Sequence, residues 1–433
     1  MSDIVSSRPF ADDTTVLHAA ERSGLTTFGN IHTHTANTTT DVFEQRVAEL
    51  EGGVAAVAVA SGQAAQTLAI LNLAEAGDNI VASQSRQDGT SSLFSNTLPR
   101  LGIRTKFVNI HDLKAVAGAI DDKTRALYVE TVGNPALDVP DLEALARLAH
   151  DFNLPLVVDN TFAAALVKPI AHGADIVLHS ATEWVGAHGT SVGGVIVDAG
   201  RFDWGATARF RRFYNEPEPT YHGLRFAEAF GNVGGANIAF ATRLRALLLR
   251  DIGASLSPLD AFLFLQALET LPLRMRQHSA NALRVARSLE AHPAVSWVKY
   301  PGLSSHPTHA NALKQLVGGF GSVLAFGVRG GEAAARQFIN HSRRVSILAH
   351  VSDANSLVIH PWTTTHEQLS ETERRAAGAS SDSDLVRLSI GLEDVDDLLA
   401  ALDHFLHEAA GTAVARASQL SARSERSTIV SAA

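Results

Sequence analysis

The chain has 433 residues, 45% of them hydrophobic and 19% charged, with a formal net charge of -9. That length is enough for two or three domains, and the acidic balance excludes the basic surface that nucleic-acid binding needs. There is no cysteine, which excludes disulfides, thiolate metal sites and a cysteine nucleophile. The opening residues MSDIVSSRPFADDTT carry no basic stretch ahead of an apolar run, and no segment reaches the ~18 uninterrupted apolar residues of a membrane span. The expectation is a cytoplasmic protein with neither membrane nor nucleic-acid partners.

In chain order, residues 1–40 are polar and weakly periodic and read as an N-terminal arm. From Thr40 to Leu50 the pattern is helical, with Val42, Phe43, Val47 and Leu50 roughly on one face. Short apolar runs follow at 54–60, 79–83, 126–131, 155–160, 175–180 and 193–198, separated by helical stretches such as 141–153. Runs of β-branched residues alternating with helices predict an α/β domain over 41–250, with a mostly parallel sheet covered on both faces. Gly231–Arg250 reads as one helix, and 257–293 as long helices broken near Pro272. Residues 251–410 read as linking helices and a smaller α/β domain, with strands in WVKYPG, SVLAFGV, SLVIHP and LVRLSIG. Residues 411–433 are small and polar and read as a disordered tail. In open parallel sheets ligands collect at the C-terminal strand ends. Here those ends carry SGQAA, ETVGNP, VVDNT and HSATE, which should converge on one pocket for a small-molecule substrate.

Those loops, in that order and spacing, resemble the Cys/Met-metabolism family of pyridoxal-phosphate (PLP) enzymes, in its O-acetylhomoserine sulfhydrylase and cystathionine gamma-synthase-like branch. The similarity runs from about Asp41 to about Ala409 and includes EQRVAELEGG, VETVGNP, VVDNTFA, GADIVLHSAT, FLFLQALETLPLRM and LVRLSIGLEDVDDLL. It implies the PLP-transferase fold type I, a large mostly parallel-sheet domain plus a smaller C-terminal α/β domain, in a homodimer or homotetramer with shared active sites. It also implies residue roles. Gly62 and Gln63 would cradle the PLP phosphate at a helix N-terminus, with the hydroxyls of Ser180 and Thr182 added. Asp159 would keep the pyridine nitrogen protonated. Asn134 would lie near the phenolic oxygen, and Arg387 would clamp a substrate carboxylate, with Ser356 in the loop beside it.

The chain departs from the family where PLP would be touched. The family has HSATK, whose lysine bonds the cofactor; this chain has HSATE, with Glu183. A carboxylate cannot form a Schiff base, and it adds negative charge near a phosphate. The stacking tyrosine of the family is replaced by Gln87, and its Tyr-x-Arg by His32-Thr33-His34. These changes lead to the expectation that no cofactor is needed, with non-covalent PLP as the alternative. The expected function is then a PLP-independent enzyme of secondary metabolism. Glu183, His32, His34 and Asp159 would do acid–base work on a carboxylate-bearing small molecule held by Arg387, Ser356, Asn134 and Gln87. Two other readings are a non-catalytic partner of an active enzyme and a sulfhydrylase or lyase with non-covalent PLP. No metal is expected, because His32-x-His34 with Glu183 is a weak ligand pattern.

Overall fold

The computed structural model describes residues 36–84, 88–134, 136–342, 346–347, 351–361 and 384–409. The chain forms two compact units. One comprises residues up to Gly133 with Val139–Arg276 and Asn311–Gly319; the other comprises Asn134–Asp138, Gln277–Ala310 and Phe320 onward.

The first unit is built on seven strands: β1 (Ala55–Val59), β2 (Asn79–Ser83), β3 (Arg104–Val108), β4 (Thr124–Glu130), β5 (Leu156–Asp159), β6 (Ile176–Ser180) and β7 (Gly194–Asp198). Their order in the sheet is β1-β7-β6-β5-β4-β2-β3. Strands β2 to β6 pair in parallel, and β7 lies antiparallel between β1 and β6. The C-terminal ends of β1 to β6 therefore share one edge. Every residue of β2, β5 and β7 is buried, so both faces of the sheet are covered, as continuous apolar runs require. The core adds an aromatic cluster in which Trp204 stacks on Tyr214 at 5.0 Å and on Phe240 at 5.3 Å.

Two features differ from the sequence expectation. Strand β3 has a polar start and an exposed edge, with Lys106 Nζ donating to Asp121 Oδ2 at 2.6 Å, and so gave no apolar signal. The helix expected over Gly231–Arg250 is interrupted. Phe226–Phe230 is helical, Gly234 and Gly235 take positive φ (61° and 92°), and helix resumes at Ala239. The break expected near Pro272 falls between the helices Pro258–Leu268 and Leu271–Ala291. Pro272 itself sits in the first turn of the second helix, where its missing N–H has no cost.

The second unit carries β8 (Val295–Lys299), β9 (Val323–Val328), β10 (Ser346–Ile347), β11 (Leu357–Ile359) and β12 (Leu385–Ser389), in the order β10-β11-β12-β9-β8. Its core gathers Leu324, Phe326, Phe338, Val386, Leu388, Leu402 and Phe405. Among the described residues no helix is long and apolar enough to cross a membrane.

Candidate active site

After β1 the chain turns at Ser61, whose Oγ accepts the N–H of Ala64 at 3.0 Å and caps the helix Gly62–Leu71. The first-turn N–H groups of such a helix are an anion site. Gly62 is required by close approach, because a Cβ there would stand 2.5 Å from the Cβ of Ser180. Gln63 lays its amide against Gly89.

Asp159 ends β5 and is held by four donors. Its Oδ1 accepts from Thr161 N (3.0 Å) and Thr161 Oγ1 (2.6 Å); its Oδ2 accepts from Gln66 Nε2 (3.0 Å) and Tyr128 OH (3.2 Å). Gln66 Nε2 also donates to Thr90 Oγ1 at 2.9 Å. Burial, and then the neighbouring Asp159, push the Tyr128 phenol well above its ordinary range, so it stays a donor. The N–H of Ser180 donates to Thr161 Oγ1 at 2.9 Å, which locks the end of β6 to that of β5. Sequence reasoning missed Gln66 and Tyr128. The available signal was a polar atom in a mostly apolar helix and strand.

Glu183 follows β6 in a loop closed on itself. The N–H of Ala181 donates to Gly193 O at 2.9 Å, and the Thr182 hydroxyl donates to Gly193 O (3.3 Å) and accepts from Gly193 N (3.2 Å). Thr182, expected to face an anion, is thus engaged with its own loop. Glu183 is 8% exposed. Its carboxyl bonds the Ser180 side chain, and its Oε2 is buried with no hydrogen-bond partner among the described residues. Burial raises its pKa, Asp159 adds to the rise, and the bonds from Ser180 and its own backbone oppose it.

A buried guanidinium fixes this loop from behind. Arg274 Nη1 donates to Trp184 O at 2.8 Å, while Nη2 donates to Ala267 O (2.9 Å) and Val185 O (3.4 Å). Burial lowers its pKa to about 10. Beneath the strand ends, Glu51 Oε1 accepts from Asn160 Nδ2 (3.0 Å) and pairs with His179 Nε2 (2.7 Å), and Thr131 Oγ1 donates to Asn160 Oδ1 at 2.8 Å. Arg274 and Glu51 were also missed, since nothing local marks them.

In this unit, then, Gly62, Gln63, Asp159, Ser180, Thr182 and Glu183 gather at one sheet edge, with the chain of contacts Asp159–Thr161–Ser180–Glu183 running through them. In the second unit Arg387 lies on the buried strand β12, and its Nη1 donates to Asn134 Oδ1 at 3.2 Å; Asn134 Nδ2 is buried without a partner. Ser356 is a structural clasp: its Oγ donates to Glu393 Oε2 and accepts from Gly391 N, both at 2.9 Å. His32, His34 and Gln87 lie outside the described residues.

A profile of the Cys/Met metabolism PLP-dependent enzymes matches residues 4–407. Sulfhydrylase FUB7 of Fusarium oxysporum f. sp. lycopersici is 51% identical over 398 residues, 91% of this chain and 90% of its own length. The O-acetyl-L-homoserine sulfhydrylase of Leptospira meyeri is 50% identical over 394 residues, 90% and 88% of the two chains. In structure the chain is similar to an O-acetylhomoserine (thiol)-lyase of Campylobacter jejuni, with a TM-score of 0.86 and 34% identity, covering 92% of this chain and 100% of that one.

The expectation that no cofactor is needed is corrected by these findings. The matching family is PLP-dependent, and the solved lyase carries a pyridoxyl-lysine monophosphate. It overweighted the replacements at Glu183, Gln87 and His32-Thr33-His34 against the retained Gly62 and Asp159. Asp159 is a buried, orientation-locked carboxylate suited to a pyridine nitrogen, and Gly62 brings the helix N-terminus into close approach with Ser180. These residues fit the ring and phosphate of PLP; Glu183 does not fit a covalent link. On profile, relatives and fold together, the chain belongs to the Cys/Met metabolism family of PLP-dependent enzymes.

Proposed function

We propose that this chain is a sulfhydrylase-like enzyme that holds PLP by non-covalent contacts alone and acts on an O-acylated amino acid of the O-acetylhomoserine class. PLP, when bound, supplies an electron sink for charge developing beside the substrate nitrogen. The helix N-terminus at Gly62–Gln63 holds the phosphate, and Asp159 holds the proton of the ring nitrogen. Glu183 does the proton transfer that an amine performs elsewhere in the family, since burial raises its pKa above the ordinary carboxylate range and so makes it a better proton acceptor than a solvated carboxylate. Arg387 pairs with the substrate carboxylate. The proposed setting is the cytoplasm, as a homodimer or homotetramer. The exposed Leu259 (66%) and Phe262 (49%) on the helix Pro258–Leu268 support self-association.

The observation that carries this reading is the Glu183 carboxyl, buried against Ser180 with one oxygen unpartnered, at the sheet edge that also holds Asp159. The test is titration of the purified full-length chain with PLP, followed by visible absorbance and dialysis. Wild type should bind saturably and lose its colour on dialysis, while Glu183→Lys should retain it. Glu183→Gln should slow homocysteine formation from O-acetylhomoserine and sulfide ~100-fold, within the range of a lost general acid–base group. Absence of saturable PLP binding in both wild type and Glu183→Lys would refute the reading.

A further inference from the structure

We propose that Tyr128 and Gln66 are positioning residues for the ring nitrogen: their bonds to Asp159 Oδ2 restrain that carboxylate, so the site holds the ring proton less tightly than an unrestrained carboxylate would. The inference rests on the placement of Asp159 at the ring nitrogen just proposed, and deepens it by naming the groups that set the strength of that contact.

The count of donors comes first. A carboxylate offers about four acceptor positions. Asp159 already receives four donors, two on each oxygen, so a ring N–H is one more and must share an oxygen with them. Oδ1 is the poorer candidate. Both its donors come from Thr161; one is a backbone N–H, the other stands at 2.6 Å, and that same Thr161 hydroxyl accepts the N–H of Ser180 at 2.9 Å. Oδ2 carries two side-chain donors, Gln66 Nε2 at 3.0 Å and Tyr128 OH at 3.2 Å, the longest of the four bonds.

These two donors are tied together. Gln66 Nε2 also donates to Thr90 Oγ1 at 2.9 Å, and the Thr90 hydroxyl bonds that of Tyr128, so Gln66, Thr90, Tyr128 and Asp159 close a ring. All four are buried, and burial keeps the Tyr128 phenol protonated and hence a donor. Donors on an anion stabilise its charged form and weaken its grip on a further proton. Thr161 supplies the orientation, so taking one donor from Oδ2 leaves the carboxylate in place and strengthens its contact with the ring nitrogen. The sign is opposite to that of a residue needed only for architecture: removal should tighten the ring-specific part of binding.

Isothermal titration of the full-length chain with PLP, and with its analogue carrying C–H in place of the ring nitrogen, tests this. Phosphate and aldehyde are common to both ligands, so the ratio of their affinities reports on the Asp159 contact. Tyr128→Phe keeps the edge-on packing against Phe94 at 4.8 Å. It should raise the ratio in favour of PLP ~3- to 10-fold, the range of one net hydrogen bond, and leave the affinity of the analogue unchanged. Gln66→Met should act in the same direction and keeps the test decisive should Tyr128→Phe not fold; Gln66 Oε1 is buried without a partner among the described residues, so its loss removes no bond there. A ratio that is unchanged or lowered in the variants would overturn the inference and leave the proposed function standing, and a fall in both affinities alike would assign the two residues a purely structural role. Equal binding of PLP and the analogue by wild type would also overturn it. Binding of neither ligand, in wild type or in Glu183→Lys, would remove both.

Discussion

Asp198 gives the sharpest test of how burial is distributed in this fold. It ends β7 at 2% exposure, and its two oxygens accept separate N–H groups, Gly200 at 2.9 Å and Ala241 at 3.2 Å. Burial pushes its pKa from 3.8 up to about 7, Asp175 adds to the rise, and the two N–H bonds oppose it. The folded protein therefore takes up this proton more readily than the unfolded chain. The stability Asp198 contributes is fully present below pH 3.8 and is lost as pH climbs to about 7. At ~1.4 kcal/mol per pH unit, the gap from 3.8 to about 7 corresponds to ~4 kcal/mol. Asp198→Asn keeps one acceptor and loses the other, a fixed cost of about 1–2 kcal/mol that does not depend on pH. Between about pH 5 and pH 8 the variant should thus gain ~3 kcal/mol relative to wild type. Urea unfolding at both pH values reads this through the fluorescence of Trp204, which stacks on Phe240, the residue before Ala241. If the difference between the wild-type and variant midpoints is the same at both pH values, Asp198 is ionised in the fold and the reasoning fails.

Ala187 adopts φ +62°, a region that favours glycine, so Ala187→Gly should stabilise the protein by about 1 kcal/mol, seen as a higher melting midpoint. Arg274→Leu removes the guanidinium bonds to the carbonyls of Trp184, Val185 and Ala267 and should cost about 2–4 kcal/mol in urea; an unchanged midpoint would deny it the bracing role. Glu51→Leu removes the partner of His179 Nε2 and one of the two acceptors of Asn160 Nδ2 and should cost about 3–5 kcal/mol, with Glu51→Gln milder; equal losses in the two would argue against the charge as the cause.

Much of this was written in local sequence. Central strands such as β4 and β6 are short apolar runs, and the loops after β1, β5 and β6 could be placed at one edge because parallel strands point the same way. Asn37 accepts Thr39 N–H at 3.0 Å and caps the helix Thr38–Glu51, which starts two residues ahead of the Thr40 that the apolar pattern marks. What stayed hidden depends on contacts distant along the chain. Tyr128 reaches Asp159 only through the register that sets β4 beside β5, and Arg274 meets Trp184 across 90 residues. Thr182 shows the converse: its hydroxyl had the right chemistry for an anion, but the Gly193 backbone was nearer. The cofactor expectation failed for a related reason, since the replacements at 183, 87 and 32–34 do not report on a cradle built from Gly62, Asp159 and Ser180.

The loop from Ala181 to Gly193 is pinned at its two ends by bonds that involve no atom of the side chain at 183. Its middle is clamped through the carbonyls of Trp184 and Val185, again indifferent to that side chain. The backbone there behaves as a socket that accepts different plugs. A lineage could therefore exchange lysine for glutamate, or restore it, without disturbing the frame, and descendants with opposite cofactor habits could share nearly superimposable chains.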